Sequence, residues 1–232
     1  MIDWHSHILP GMDDGSHDLD ESLAMLQLLK DQGVDTVIAT PHFFANGESV
    51  EDFLERRREA LSSLLREKKD DDVRVLCGAE VRYYPGISRM ENLDKLVIDD
   101  TGLLLLEMPM SKWTDFTVRE LTELASTRGV RLIMAHIERY LGFQDKKTVK
   151  RLLECGVLMQ VNASFFERLA TKKKALKLLE DGQIHLIGSD CHNVTTRPPK
   201  LDGAYALIRK RLGDRFVTHM TEYGYRMIGH HS

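Results

Sequence analysis

Short runs rich in valine, isoleucine and leucine alternate along the chain with longer stretches whose apolar residues recur every three or four positions. The runs at 2–5, 36–40, 73–80, 103–108, 131–136, 158–162 and 185–189 mostly lack strict apolar/polar alternation, the pattern of parallel strands covered on both faces. The stretches between them predict helices over 18–32, 50–68, 116–128, 146–155, 172–180 and 203–212. In the first, Leu19, Leu23, Leu26 and Leu29 form one face, Asp18 and Glu21 have capping-box spacing, and Gly33 is a stop. In the second, Ser49 is a candidate cap, and Phe53, Leu54, Leu61, Leu64 and Leu65 make the stripe. Gly129, Gly156 and Gly182 stand where later helices should end. Seven strands alternating with helices, with no Pro/Gly/Ser-rich linker and no internal repeat, predict one α/β domain over 1–232 with a parallel sheet. A closed barrel and an open doubly wound sheet both fit this pattern.

The polar residues separate the two. The first strand ends in His5-Ser6-His7 and the second in Thr40-Pro41-His42. The third ends in Glu80, the fourth in Glu107, the fifth in His136 and the sixth in Asn162. The seventh ends in Asp190-Cys191-His192. Parallel α/β folds carry their functional residues at the carboxyl ends of strands. An open sheet would spread these residues along a line; a barrel gathers them at one mouth, so the pattern favours barrel-like closure. Taken singly, a histidine after a strand is an ordinary hydrogen-bonded loop residue. Together, histidine and carboxylate form a mixed N/O donor set for ions such as Zn, Mn or Fe. The candidates His5, His7, Asp14, His42, Glu80, Glu107, His136, Asp190 and His192 exceed the positions around one ion. Two or three ions follow, with a carboxylate such as Glu80 able to bridge. Ions about 3.5–4 Å apart acidify water and clamp a phosphoryl group, which points to metal-assisted hydrolysis. Arg139 and Arg197 each follow a metal-bearing strand end, and guanidinium groups bind phosphate bidentately. Spacing alone does not choose between Asp13 and Asp14.

Composition narrows the class further. Hydrophobic residues make up 42%, enough for a sizeable core, and 36 acids against 32 bases give a net charge of −4, which does not advertise nucleic-acid binding. The longest apolar run, at 103–106, is far short of the roughly 20 residues that span a bilayer. The first residues carry neither a basic start nor an apolar stretch, so a cytoplasmic location is expected. Three scattered cysteines, Cys77, Cys155 and Cys191, offer neither a disulfide framework nor a CxxC zinc site. The run at 68–72 reads as a solvated loop, and Lys172, Lys173 and Lys174 as the wet face of a helix.

The opening 1–15, with His5-Ser6-His7-Ile8-Leu9-Pro10-Gly11-Met12-Asp13-Asp14-Gly15, resembles the bacterial protein-tyrosine phosphatases of the polymerase and histidinol phosphatase (PHP) superfamily, encoded in capsule and exopolysaccharide loci. Ile38-Ala39-Thr40-Pro41-His42, Gly78-Ala79-Glu80, Leu106-Glu107-Met108-Pro109, Ala135-His136-Ile137-Glu138-Arg139, Gln160-Val161-Asn162-Ala163 and Gly188-Ser189-Asp190-Cys191-His192-Asn193 match that family's blocks in order, over nearly the whole chain. The resemblance implies a distorted (β/α)7 barrel, TIM-barrel-like, with a trinuclear centre usually loaded with manganese. It implies one ion on His5, His7, Glu80 and Asp190, a second on Glu80, Glu107 and His136, and a third on Asp14, His42 and His192. Arg139 and Arg197 would hold the phosphate, a metal-bridging hydroxide would attack phosphorus, and the substrate would be a tyrosine autokinase. It favours Asp14 over Asp13. Fe, Co or Zn could stand in for manganese.

Many relatives have proline where this chain has Ile137, which bears on the aim of Arg139, and alanine where it has Cys191, a small inert filler or an oxidation-sensitive thiol. His17 lies near enough to the mouth to touch substrate, His185 reads as a core or rim residue, and His230 and His231 as frayed. Phe43, Tyr83 and Tyr84 follow strand ends and either flank an aromatic phosphoester or pack in the core. The alternatives are a small-molecule phosphatase, such as a histidinol-phosphate phosphatase, and a non-catalytic metal-binding interaction module.

Overall fold

The computed structural model of the chain describes residues 1–69, 73–127 and 129–229. Asp70, Asp71 and Asp72 of the expected charged loop, Arg128 at the expected end of a helix, and His230 and His231 lie outside the described residues.

The strands are β1 (Ile2–Ser6), β2 (Thr36–Ala39), β3 (His42–Phe43), β4 (Arg74–Cys77), β5 (Glu80–Arg82), β6 (Leu103–Glu107), β7 (Arg131–Met134), β8 (Leu158–Asn162) and β9 (Leu186–Gly188). The helices are α1 (Leu19–Asp31), α2 (Val50–Glu67), α3 (Asp115–Ala125), α4 (Lys146–Glu154), α5 (Ser164–Glu167), α6 (Lys172–Glu180), α7 (Asp202–Leu212) and α8 (Asp214–Met227). Every strand pair is parallel. The order is β1-β2-β4 in one sheet and β3-β5-β6-β7-β8-β9 in the other.

The two sheets are one curled surface. β3 continues the line of β2 beyond Thr40-Pro41, and β5 continues β4 beyond Gly78-Ala79. Across the breaks Gly78 N–H donates to Ala39 O at 2.9 Å and Glu80 N–H to Pro41 O at 3.0 Å. At the other edge β9 returns to β1: Asp190 N–H donates to His5 O at 2.8 Å and His7 N–H to Cys191 O at 2.9 Å. Seven strand positions therefore run round a distorted barrel of the expected kind. The expected strand 73–80 is two strands, and His42–Phe43 is a strand the hydrophobic pattern does not show. Pro41 has no N–H to donate to a ladder, and a Cβ on Gly78 would lie 2.8 Å from Ile98 Cγ1. The ladder breaks at Ala39 beside Cys77 and resumes at His42 beside Glu80.

Side-chain parity places the core and the site together. In β6, Leu103 and Leu105 join the inner cluster with Ile133 and Ala135, while Leu104 and Leu106 join Leu132 and Met134 in the larger cluster beneath the helices. The same inner parity carries Glu107 to the mouth of the barrel. The apolar rungs below exclude water and leave the polar rung at the top.

The helices start where the sequence places them. Asp18 accepts from Glu21 N–H and Ser49 from Asp52 N–H, as caps should. Gly33 leaves α1 with φ +80°. Helix α8 was not expected, because Gly224 interrupts its pattern and no side chain caps its start. The glycine is there for close approach: a Cβ at Gly224 would come within 3.1 Å of Ile2 and 3.2 Å of Trp4. No helix among the described residues is long and apolar enough to cross a membrane.

Candidate metal centre

All nine candidate donors meet at the mouth. Glu80, buried at the start of β5, is the hub. Its Oε2 lies 3.1 Å from His5 Nε2, 3.3 Å from His7 Nε2 and 3.1 Å from His42 Nδ1, and its Oε1 lies 2.8 Å from His136 Nε2. Asp190 Oδ1 is 3.7 Å from His5 Nε2 and 3.6 Å from His7 Nε2. Glu107 Oε1 is 3.8 Å from His136 Nε2. Asp14 Oδ1 lies 3.5 Å from both His42 Nε2 and His192 Nε2. Four overlapping sets result: His7, Asp14, His42 and His192; His5, His7 and Asp190; His5, Glu80 and His136; and His42, Glu80 and Glu107, with the donor atoms of each set within 4.8 Å of one another.

Backbone conformation aims two of these donors. Parity alone would send His136 outward with Leu132 and Met134. At φ +31° it breaks the alternation and turns inward. Asp190, at φ +54°, also occupies the left-handed region, which a non-glycine residue adopts only when its surroundings hold it there.

A ring of supporting groups fixes the donors, and most of it was not visible in the sequence. Asp13 accepts from His7 Nδ1 at 2.7 Å and His42 N–H at 2.8 Å through Oδ2, and from Gly15 N–H at 2.9 Å through Oδ1. Asp13 thus orients His7 from behind while Asp14 faces the cluster. Gln160 Oε1 accepts from His136 N–H at 2.6 Å and lies 3.3 Å from His5 Nδ1. This contact favours the tautomer that leaves His5 Nε2 free for the centre. Tyr140 Oη accepts from Met108 N–H and sits 3.0 Å from His136 Nδ1. Arg82 donates to Glu107 Oε2 at 2.6 Å. Gln160 shares parity with the strand-end Asn162, the one sequence signal that could have found it.

Arg139 and Arg197 converge on Asp190. Arg139 donates to its Oδ2, Arg197 lies 2.9 Å from its Oδ1, and Asn162 Nδ2 donates to Oδ2 at 2.7 Å. Both guanidiniums line a cleft of about 280 Å³ with Asn162, Ser164, Arg168 and Lys200. Ile137 is buried in the short turn after His136, and that turn delivers Arg139 to this cleft.

The electrostatics are those of a site built for cations. Burial alone would depress His5 and His7, yet Glu80 and Asp190 raise the pKa of His5, and Asp13, Asp190 and Glu80 hold that of His7 well above its ordinary value. Burial would raise Glu80 and Asp190, but the adjoining histidines hold both well below the usual carboxylate range. His192 is pushed down to about 4 by burial, the charge on His7 and Arg197. Two ring nitrogens, His42 Nδ1 and His192 Nε2, are buried without a hydrogen-bond partner. Lone nitrogen donors beside converging carboxylates, with no thiolate among them, fit hard or borderline divalent ions.

Other candidates fall elsewhere. Phe43 is buried against Phe53, ring centroids 5.2 Å apart, and the Tyr83 hydroxyl donates to Glu120 at 2.7 Å, so both are core residues. His17 is exposed, its N–H on Glu21. His185 accepts from Met159 N–H and is structural. Cys191 is fully buried and burial raises its thiol well above the ordinary value, so it acts as a filler.

Residues 1–225 match the family described as capsular polysaccharide synthesis, CpsB/CapC. The tyrosine-protein phosphatase CpsB of Streptococcus agalactiae serotype V is 31% identical over 92% of this chain and 91% of its own. The tyrosine-protein phosphatase YwqE of Bacillus subtilis is 31% identical over 96% of this chain and 89% of its own. A solved structure from the work on YwqE of Bacillus subtilis and CpsB of Streptococcus pneumoniae, described as unique metal-dependent tyrosine phosphatases, superposes with TM-score 0.84 and 28% identity over 100% of this chain and 96% of that one. A Listeria monocytogenes structure described as a candidate histidinol phosphatase shares the fold alone, with TM-score 0.54 and 14% identity over 84% of this chain and 96% of that one.

Proposed function

This chain belongs to the CpsB/CapC family of capsular polysaccharide synthesis, and from that premise we propose that it is a metal-dependent protein-tyrosine phosphatase acting through the centre around Glu80. The observation that carries the reading is the convergence of nine donors into four overlapping ligand sets. His5, His7, Glu80 and Asp190 would hold one ion, Glu80, Glu107 and His136 a second, and Asp14, His42 and His192 a third. Manganese is the metal that the resemblance to the bacterial protein-tyrosine phosphatases implies, and the mixed nitrogen and oxygen set also suits Fe, Co or Zn. Bound ions would supply Lewis acidity, making a nucleophile of water and neutralising the phosphoryl oxygens.

The chain's own residues do the rest. Arg139 and Arg197, both held at Asp190, clamp the non-bridging phosphate oxygens as charge develops on them. Asp13, Gln160 and Tyr140 keep the imidazoles in place, so little reorganisation accompanies reaction. Cys191 does not attack: its thiol is buried and held protonated, so no phosphocysteine forms. The substrate is the phosphotyrosine of a cytoplasmic-facing tyrosine autokinase of capsular or exopolysaccharide synthesis, and the enzyme works in the cytoplasm.

The test is phosphate release from a phosphotyrosine peptide and from histidinol phosphate, side by side, with manganese and then with chelator. Fast turnover of the peptide alone, lost on chelation and restored by manganese, supports the reading. Preference for histidinol phosphate, or turnover indifferent to chelation, overturns it.

A further inference from the structure

Beside the cluster, joined to it through Phe44 on His42 and Arg82 on Glu107, lies a groove of about 680 Å³ lined by Phe44, Ala45, Asn46, Arg82, Tyr83 and Tyr84. Register explains how it is made. β3 and β5 pair with His42 beside Glu80 and Phe43 beside Val81, and β5 and β6 pair with Arg82 beside Glu107. Alternation therefore puts Phe44 and Arg82 on the same face as His42 and Glu80, one rung further out. The Phe44 ring packs on His42 with centroids 5.4 Å apart, yet Phe44 remains 42% exposed. Its neighbour Phe43 points the other way and is buried.

The Arg82 guanidinium is engaged by Glu107 at 2.6 Å, and the Tyr83 hydroxyl by Glu120. What they offer inward is the arginine stem and aromatic carbon, beside the open face of Phe44 and the half-buried Tyr84. An aryl phosphate whose phosphorus sits among the ligand sets must place its ring just outside them, and this apolar ledge borders them directly. An alkyl phosphate has nothing to lay there.

We propose that Phe44, with Tyr84 and the stem of Arg82, forms the subsite for the aromatic ring of the substrate and determines the preference for aryl over alkyl phosphomonoesters. This rests on the phosphatase reading above and names the specificity element of the same site. Glu120 is its positioning residue: besides Tyr83 it accepts from Gly86 N–H at 2.8 Å, which holds the wall of the groove.

The experiment compares kcat/KM for a phosphotyrosine peptide and for the same peptide carrying phosphoserine, in manganese-loaded wild type, Phe44→Ala, Phe44→Leu and Phe44→Tyr. The reading is the aryl-to-alkyl ratio, which cancels any general effect on the metal centre. Loss of the ring-face contact lowers that ratio about tenfold in Phe44→Ala. Phe44→Leu falls between, and Phe44→Tyr keeps the wild-type ratio. Phenylphosphonate against methylphosphonate, as competitive inhibitors, repeats the comparison without turnover. An unchanged ratio in Phe44→Ala overturns the subsite, whether or not both rates fall, and leaves the phosphatase reading standing. Wild type that hydrolyses neither peptide overturns the phosphatase reading and the subsite with it.

Discussion

Asp13 and Asp14 are adjacent and chemically identical, yet the structure places Asp13 behind His7 and Asp14 beside His42 and His192, so under the proposed function truncating each should produce opposite phenotypes. Asp13 is largely buried and takes three donors: the His7 ring, His42 N–H and Gly15 N–H, at 2.7 to 2.9 Å. Burial alone would raise its pKa, but those donors hold it far below the ordinary carboxylate value. In Asp13→Ala they lose their acceptor. At about 1–3 kcal/mol for each buried group left unpaired, with water replacing some contacts, the chelated protein should lose about 3 kcal/mol of stability. Loss of the group that orients His7 should also weaken metal binding by about 10–100-fold. Asp14 is 68% exposed and stands 3.5 Å from two imidazole nitrogens, too far for good hydrogen bonds. Asp14→Ala should leave the chelated protein within about 0.5 kcal/mol of wild type and bind fewer ions. Urea unfolding with chelator and calorimetric titration with manganese separate the two effects. A stable Asp13→Ala, or an Asp14→Ala that keeps full metal stoichiometry, would refute the assignment.

Three further outcomes follow from particular contacts. A Cβ at Gly15 would lie 2.3 Å from His7 O and 2.4 Å from His7 Cβ, so Gly15→Ala must displace His7. Manganese titration should show metal affinity reduced by at least about tenfold. Burial pushes the Asp3 carboxyl up to about 6 despite hydrogen bonds from Ser189. Between about pH 4 and 6 the folded state therefore holds a proton the unfolded chain has released, and this group makes stability fall as pH rises through that window. Urea melts of the chelated protein at pH 4, 5 and 6 should show that decline reduced in Asp3→Asn; an unaltered slope would count against it. Tyr140→Phe leaves Met108 N–H and His136 Nδ1 without their shared partner. It should cost about 1–3 kcal/mol by thermal melting, with a smaller stabilisation by added manganese than in wild type.

Much of this architecture is legible in the chain. Apolar runs alternating with amphipathic segments specify parallel strands and covering helices, because hydrophobic period reports which faces must be buried. The caps at Asp18 and Ser49 formed as read, since a cap depends only on residues three apart. Eight of the nine donors could be listed from strand ends, Asp14 was added by the resemblance, and chemistry named their class. Helix α8 was not legible, because Gly224 is there to let the helix approach Trp4, a contact between residues far apart in sequence.

What tertiary structure decided is how the donors face one another. Spacing offered Asp13 and Asp14 as equals and the resemblance favoured Asp14; the fold turns Asp13 behind His7 and Asp14 toward His42 and His192. Sequence offered Phe43, Tyr83 and Tyr84 either as ring-binding or as core residues; strand parity buries Phe43 and leaves Phe44 at the mouth. Arg82 carries no local signal and Gln160 only the parity it shares with Asn162, for each acts on a donor delivered by another strand, and Tyr140 reaches His136 only through the turn between them. The reason is physical: propensity and burial period are local properties of the chain, whereas the aim of a side chain depends on partners that only barrel closure brings within a few ångströms.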